Sequence, residues 1–158
     1  MKSKGFSGGN DPYNRERLWD TGFATDGDTF LWIQKLIAVR KAYQPLRRGA
    51  LTIRWSTTRV ANEQDAGIFA FDRTDGGHTV LVVVNTSGNK TSETSATTVG
   101  GAAMTTGYAA GTQLVDVLDT TGASVFVVGP GGTLTVQVPA WGTRILVPQA
   151  DVVSLTLP

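Results

Sequence analysis

The stretch GIFAFDRTDGGHTVLVVVN, residues 67–85, decides how this chain is read. Its two halves, residues 67–73 and 79–85, are rich in β-branched and aromatic side chains, and Asp75-Gly76-Gly77 lies between them, so the spacing predicts a β-hairpin. Toward the N-terminus, Leu51, Ile53 and Trp55 alternate with Thr52 and Arg54, as on a strand with one buried side. Toward the C-terminus, residues 92–99, 113–118, 124–128, 132–138 and 143–148 read as further strands, with turns at Gly100-Gly101, Thr121-Gly122 and Gly129-Pro130-Gly131. Eight short strands at hairpin spacing predict a mainly β fold, an antiparallel two-sheet β-sandwich with Greek-key character over residues 49–148. Alternate positions on a half-buried strand share a face, which places Ile68, Phe69 or Phe71, Val80, Val82, Val84, Leu134, Val136 and Ile145 in the core. Residues 152–158 read as an edge strand or a tail.

Upstream of the strands the period changes. Phe30, Ile33 and Ile37 recur at helical spacing and Trp32, Leu36, Val39 and Tyr43 widen the stripe, which predicts one helix over residues 28–43. Asp28 is its expected cap, Arg40 and Lys41 suit its C-terminal dipole, and Pro45 and Gly49 lie beyond its end. Before it, residues 5–28 read as loop, with turn formers stacked in Gly8-Gly9-Asn10-Asp11-Pro12. That apolar stripe is too broad for one contact surface, so self-association, a homodimer through residues 28–43, is expected of the chain in isolation.

Composition narrows the function. Charged residues make up only 17% and glycines number 19, a profile of a loop-rich β body. Fourteen basic against 13 acidic side chains give a net charge of +1, which offers nothing to nucleic acid or to an anionic membrane. With no cysteine there are no disulfides, thiolate metal sites or thiol nucleophiles. The start, MKSKGFSGG, lacks the apolar run of about 7–15 residues that a secretory signal carries, and no segment has the ~18 apolar residues of a spanning helix. The compartment is left open.

Residues 8–15, GGNDPYNR, resemble the GxGDPxNR segment of cyclodextrin glucanotransferases and maltogenic enzymes within the α-amylase superfamily, glycoside hydrolase family 13. Trp55, the hairpin pattern FxR…VLVVxN and the closing VPAWGTRILVP of residues 138–148 are similar, more loosely, to that family's domain C. The resemblance implies that residues 1–48 are a remnant of the last βα unit of a (β/α)8 barrel, a loop plus helix 28–43. It implies that residues 49–158 are a domain C-like sandwich. In transferase-like members the Asp and Arg of this segment contact a glucose ring on the donor side of the cleft, and the matching positions are Asp11 and Arg15. A carboxylate accepting from vicinal hydroxyls and a guanidinium donating to oxygens suit that role. The same two residues also read as an Asx-turn closed by an ion pair.

Other candidates stand beside these. Trp55 and Trp141 invite sugar stacking, because an indole face packs on a pyranose, although tryptophans of a sandwich also pack between sheets. His78, the only histidine, sits by the hairpin turn with no serine–acid partner pattern, and reads as solvated. Asp26-Gly27-Asp28 is a fragment of a calcium-loop pattern without the remaining ligands, so no metal or cofactor is expected. Retaining glycosidases need two carboxylates about 5 Å apart. The resemblance puts the family's three catalytic carboxylates on earlier barrel strands, the last of them in a His-Asp pair, whereas His78 here precedes Thr79. No catalytic residue is carried over. Three functions follow: a non-catalytic domain C that stabilises the barrel of an α-glucan-active enzyme, a stand-alone α-glucan-binding module, or a hydrolase using carboxylates not yet paired.

Overall fold

The computed structural model describes residues 22–57, 59–60, 62–95 and 103–155. At its centre the expected hairpin forms: β2 (Ile68–Asp75) and β3 (His78–Asn85) pair antiparallel, from Ile68 opposite Asn85 to Asp75 opposite His78. Gly76 and Gly77 close it with φ of +57° and +82°, the left-handed pair whose twist suits a two-residue hairpin loop. β1 (Ala50–Ser56) flanks β2, and beyond β3 lie β10 (Thr143–Pro148), β6 (Gln113–Asp116) and β7 (Val125–Val127). Every neighbouring pair in this six-stranded sheet is antiparallel. Insertion of β10 between β3 and β6 is the long return that marks a Greek key.

Two short ladders form the second layer, β4 (Ser92–Glu93) with β9 (Gln137–Val138), and β5 (Met104–Thr105) with β8 (Thr133–Leu134). The strand expected over 132–138 is therefore one extended run that changes partner midway. Buried Thr94 makes the join: its hydroxyl donates to the Leu134 carbonyl at 3.1 Å and accepts from the Val136 amide at 2.9 Å, while its own amide reaches the Val136 carbonyl. β5 is too short to show a period in the sequence. Of the strand expected at 92–99, positions 96–99 lie outside the described residues, as does the Gly100-Gly101 turn.

The expected core is corrected in one respect. Register puts Ile68, Ala70 and Asp72 of β2 on the same face as Asn85, Val83 and Leu81 of β3, and that face meets Met104, Leu134, Val136 and Val138 of the second layer. Val80, Val82 and Ile145 belong to the opposite face, packed under a helix with Val147 and Leu118, and Phe71 and Val84 border that cluster. The expected list thus mixed two cores and omitted Leu81 and Val83, both fully buried. The physical reason is visible in the unbroken apolar run of residues 80–84: a strand covered on both faces has no polar side to alternate with.

The covering element is α1 (Asp28–Ala42), with Tyr43 as its C-cap. It ends one residue earlier than predicted. Asp28 is not the cap: Gly27 occupies that position without a side-chain bond, and Asp28 is the first helical residue, favourable to the dipole as an acid in the first turn. Pro45 does not merely lie past the end but opens a second short helix, α2 (Pro45–Arg48), where a missing N–H costs nothing. Val39 and Tyr43 of α1 are buried on the sheet, whereas Phe30, Leu31, Trp32, Ile33 and Ile37 are each 43–51% exposed. After β10, residues 149–151 make a 3-10 turn and 152–155 run on without regular structure, so that part of the tail adds no strand. Among the described residues no helix is long and apolar enough to cross a membrane.

Candidate functional site

Three buried aspartates each face an arginine. A register shift between Ile53 and Trp55 of β1 turns both Arg54 and Trp55 toward the sandwich interior. Arg54 Nε then lies 2.5 Å from Asp72 Oδ2, and Trp55 packs against the core while its indole N–H donates to Asp65 Oδ2 at 3.0 Å. Arg59 grips Asp65 with two bonds, Nε to Oδ1 at 2.8 Å and Nη2 to Oδ2 at 2.6 Å. Asp116 accepts from Arg144 Nη1 at 2.9 Å and from the amides of Leu118 and Ile145, which ends β6 in a tight turn.

Their electrostatics differ. Burial opposes ionisation of Asp65, but the bonds from Arg59 and Trp55 outweigh it and hold the carboxyl below the usual value. At Asp72 burial wins over Arg54 and pushes the carboxyl up; its Oδ1 is buried without a partner among the described residues. Burial, with the Asp72 charge next, also raises the phenol of Tyr108, whose hydroxyl donates to the Thr79 carbonyl at 2.9 Å. Asp119 is held far below the ordinary range by bonds from Ser124 and Thr121. Among the described residues no group of three or more His, Asp or Glu side chains could hold a metal ion.

Two grooves open on the surface. One, of about 590 Å³, runs between the ends of α1 and α2, the hairpin tip and the 3-10 turn after β10. Its polar side chains answer one another: Gln44 donates to Asp75 at 2.7 Å, and His78 Nδ1 stands 3.6 Å from Asp151. The second, of about 400 Å³, is bordered by Trp32 of α1, Leu118, Asp119, Pro139, Trp141, Thr143 and Arg144.

The sequence-predicted residues fall differently. Asp11, Arg15 and Trp19 lie outside the described residues. Trp55 is half-buried, one side in the core and its N–H on Asp65. Trp141 is 74% exposed, with φ of +55° in the turn that the Gly142 amide closes on the Pro139 carbonyl. In the sequence Trp32 belongs only to the helical stripe, yet it shares the second groove with Trp141. Its signal was that stripe's excess width. The structure does not bring Trp55 and Trp141 together in either groove.

No protein-family model matches the chain. Alpha-amylase 1 of Schwanniomyces occidentalis is 23% identical over 149 residues, covering 94% of this chain and 27% of that protein. The cyclomaltodextrinase of Geobacillus thermopakistaniensis (strain MAS1) is 32% identical over 84 residues, covering 52% of this chain and 13% of that protein. Among solved structures, an α-amylase from Malbranchea cinnamomea superposes with a TM-score of 0.62 at 24% identity, covering 93% of this chain and 28% of that one. The resemblance read from residues 8–15 and from the sandwich therefore holds: relatives and structural neighbours are α-amylase-family proteins, and the chain spans about a quarter of the length of the first of them.

Proposed function

We propose that this chain is the non-catalytic C-terminal β-sandwich of an α-amylase-type glycoside hydrolase acting on α-glucans, and that it stabilises the barrel of the longer protein by covering its last helix. The observation that carries this is the two-sided helix. α1 seats Val39 and Tyr43 on the outer face of the sheet, and Phe30, Leu31, Ile33 and Ile37 remain exposed. A lone sandwich has no use for that second apolar face, while a barrel wall would bury it. On this reading residues 1–48 are the end of the last βα unit and residues 49–158 the sandwich. The α-glucan substrate class comes from the names of the relatives, an α-amylase and a cyclomaltodextrinase. Absence of catalysis rests on chemistry: Asp65, Asp72 and Asp116 are engaged with arginines in the sandwich, not arranged as an acid and a nucleophile across a cleft.

The test has two arms. The purified chain should release no reducing sugar from soluble starch beyond buffer, and the gene upstream of Met1 should encode barrel strands. Hydrolysis that survives repurification and is abolished by mutating a carboxylate of this chain would overturn the non-catalytic reading. A gene with no barrel sequence upstream would overturn the domain reading.

A further inference from the structure

We propose that the groove between Trp32 and Trp141 is a binding site for α-glucan chains, a neutral sugar surface separate from any catalytic cleft; the choice of α-glucan over other sugars rests on the substrate class proposed above. Three observations carry it. Trp141 is 74% exposed, at the tip of the turn before β10. The side of the indole where its two rings join packs against Gly88: a Cβ built there would sit 2.7–2.9 Å from Cζ2, Cε2 and Nε1. The loop thus offers bare backbone as a bed for the ring, which supports one side and leaves the rest open. Its Nε1–H makes no hydrogen bond among the described residues and can serve a hydroxyl.

Backbone strain is the second observation. With φ of +55° Trp141 stands in the left-handed region, where glycine is at ease and a bulky side chain is a genuine outlier. Strained residues cluster at functional sites, so the outlier is consistent with a role for this side chain.

Third, the walls suit a neutral ligand with apolar faces. Lys35 donates to the Leu118 carbonyl and stands 5.7 Å over the Trp32 ring, so its charge is engaged. Asp119 accepts from both Ser124 and Thr121, and Arg144 from the opposite side holds Asp116, Ser124 and the Gln137 carbonyl. Arg144 and Asp116 form an ion pair, and Lys35 and Asp119 are held by a carbonyl and by hydroxyls, so each charge bordering the groove already has a partner. Two indoles and a proline lining the groove beside polar side chains suit the alternating apolar faces and hydroxyl edges of pyranoses, and about 400 Å³ is within the usual range of small-ligand clefts.

The experiment uses the whole chain in native gels containing amylopectin, with tryptophan fluorescence against maltoheptaose and with cellohexaose as the β-linked control. The expected result is retardation by amylopectin, quenching by maltoheptaose only, and a loss of affinity of about tenfold or more in Trp141→Gly and Trp32→Ala. Trp141→Gly is the decisive variant, because relief of the positive φ should keep its melting temperature within a few degrees of the parent while binding is lost. Two outcomes overturn the proposal: no retardation, or retention unchanged in Trp141→Gly. Neither of these touches the domain reading, which is tested without ligand; a barrel-less gene, conversely, leaves glucan retention intact.

Discussion

Asp65 and Asp72 are both fully buried and both face an arginine, yet their carboxyl groups move in opposite directions from the same ordinary value of 3.8. The difference is in the number of donors. Asp65 receives bonds from Arg59 twice, from Trp55 and from the Thr57 side chain, whereas Asp72 receives one and leaves Oδ1 unpartnered. For Asp65 the folded carboxyl is the stronger acid, so its contribution to stability is present above 3.8 and is lost as pH falls through the lower folded value. For Asp72 the folded carboxyl is the weaker acid, so stability is highest below 3.8 and declines as pH rises through the higher folded value. Asp65→Asn should therefore lose ground to the parent as pH rises from the acid range, and Asp72→Asn should gain it. Urea unfolding of the three proteins across that range is the check, and parallel pH dependences would refute the assignment. At neutral pH, Asp65→Ala should cost about 1–3 kcal/mol, because it strips the Trp55 N–H and Arg59 of their acceptor. Neither pairing was legible in the sequence. Arg54 and Asp72 lie 18 positions apart, and the register shift that turns Arg54 inward leaves no mark in the residue pattern.

At the scale of elements, β3 shows where pattern reading works and where it fails. The hairpin was legible because Gly76-Gly77 has a specific backbone task and the flanking residues have β propensity. Strand β10 was legible to its ends, residues 143–148. Which face of β3 points to which core was not, since five consecutive apolar residues carry no period. Pairing settles it: Leu81 and Val83 point into the sandwich, Val80 and Val82 under α1. Leu81→Ala should accordingly destabilise by about 2–5 kcal/mol, the range for truncation in a packed core. Ile53→Ala on β1, where the side chain is 57% exposed, should change stability by no more than about 0.5 kcal/mol. Chemical denaturation separates the two; equal losses would contradict the contrast between buried Leu81 and exposed Ile53. The candidate groove was half legible. Trp141 was singled out by type alone, but its exposure, its bed on Gly88 and its partner Trp32 depend on how α1 and the turn before β10 converge in space.

For the whole molecule, the open face of α1 leads to a prediction about the oligomeric state of the chain in isolation. Phe30, Leu31, Trp32, Ile33 and Ile37 form a band along one element, and none is more than about half covered. If two copies bury roughly 200 Å² each, at about 25 cal/mol per Å² the gain is about 10 kcal/mol. Association itself costs about 4–15 kcal/mol, and stable protein interfaces bury about 1,200–2,000 Å² in total. These magnitudes predict a weak, concentration-dependent dimer rather than an obligate one. Barrel sequence, with a shaped wall joined to the same helix, would bury more of Phe30, Leu31, Ile33 and Ile37 and suppress the dimer. Sedimentation of the isolated chain should show self-association that grows through the micromolar range and disappears when Phe30 and Ile33 are replaced by serine. A monomer at every concentration with α1 intact by circular dichroism would refute this, and so would a dimer indifferent to those two substitutions. The same measurement with maltoheptaose present links the two surfaces: Trp32 borders both the apolar band and the Trp141 groove, so glucan and a second copy compete for it, and the sugar should shift the equilibrium toward monomer.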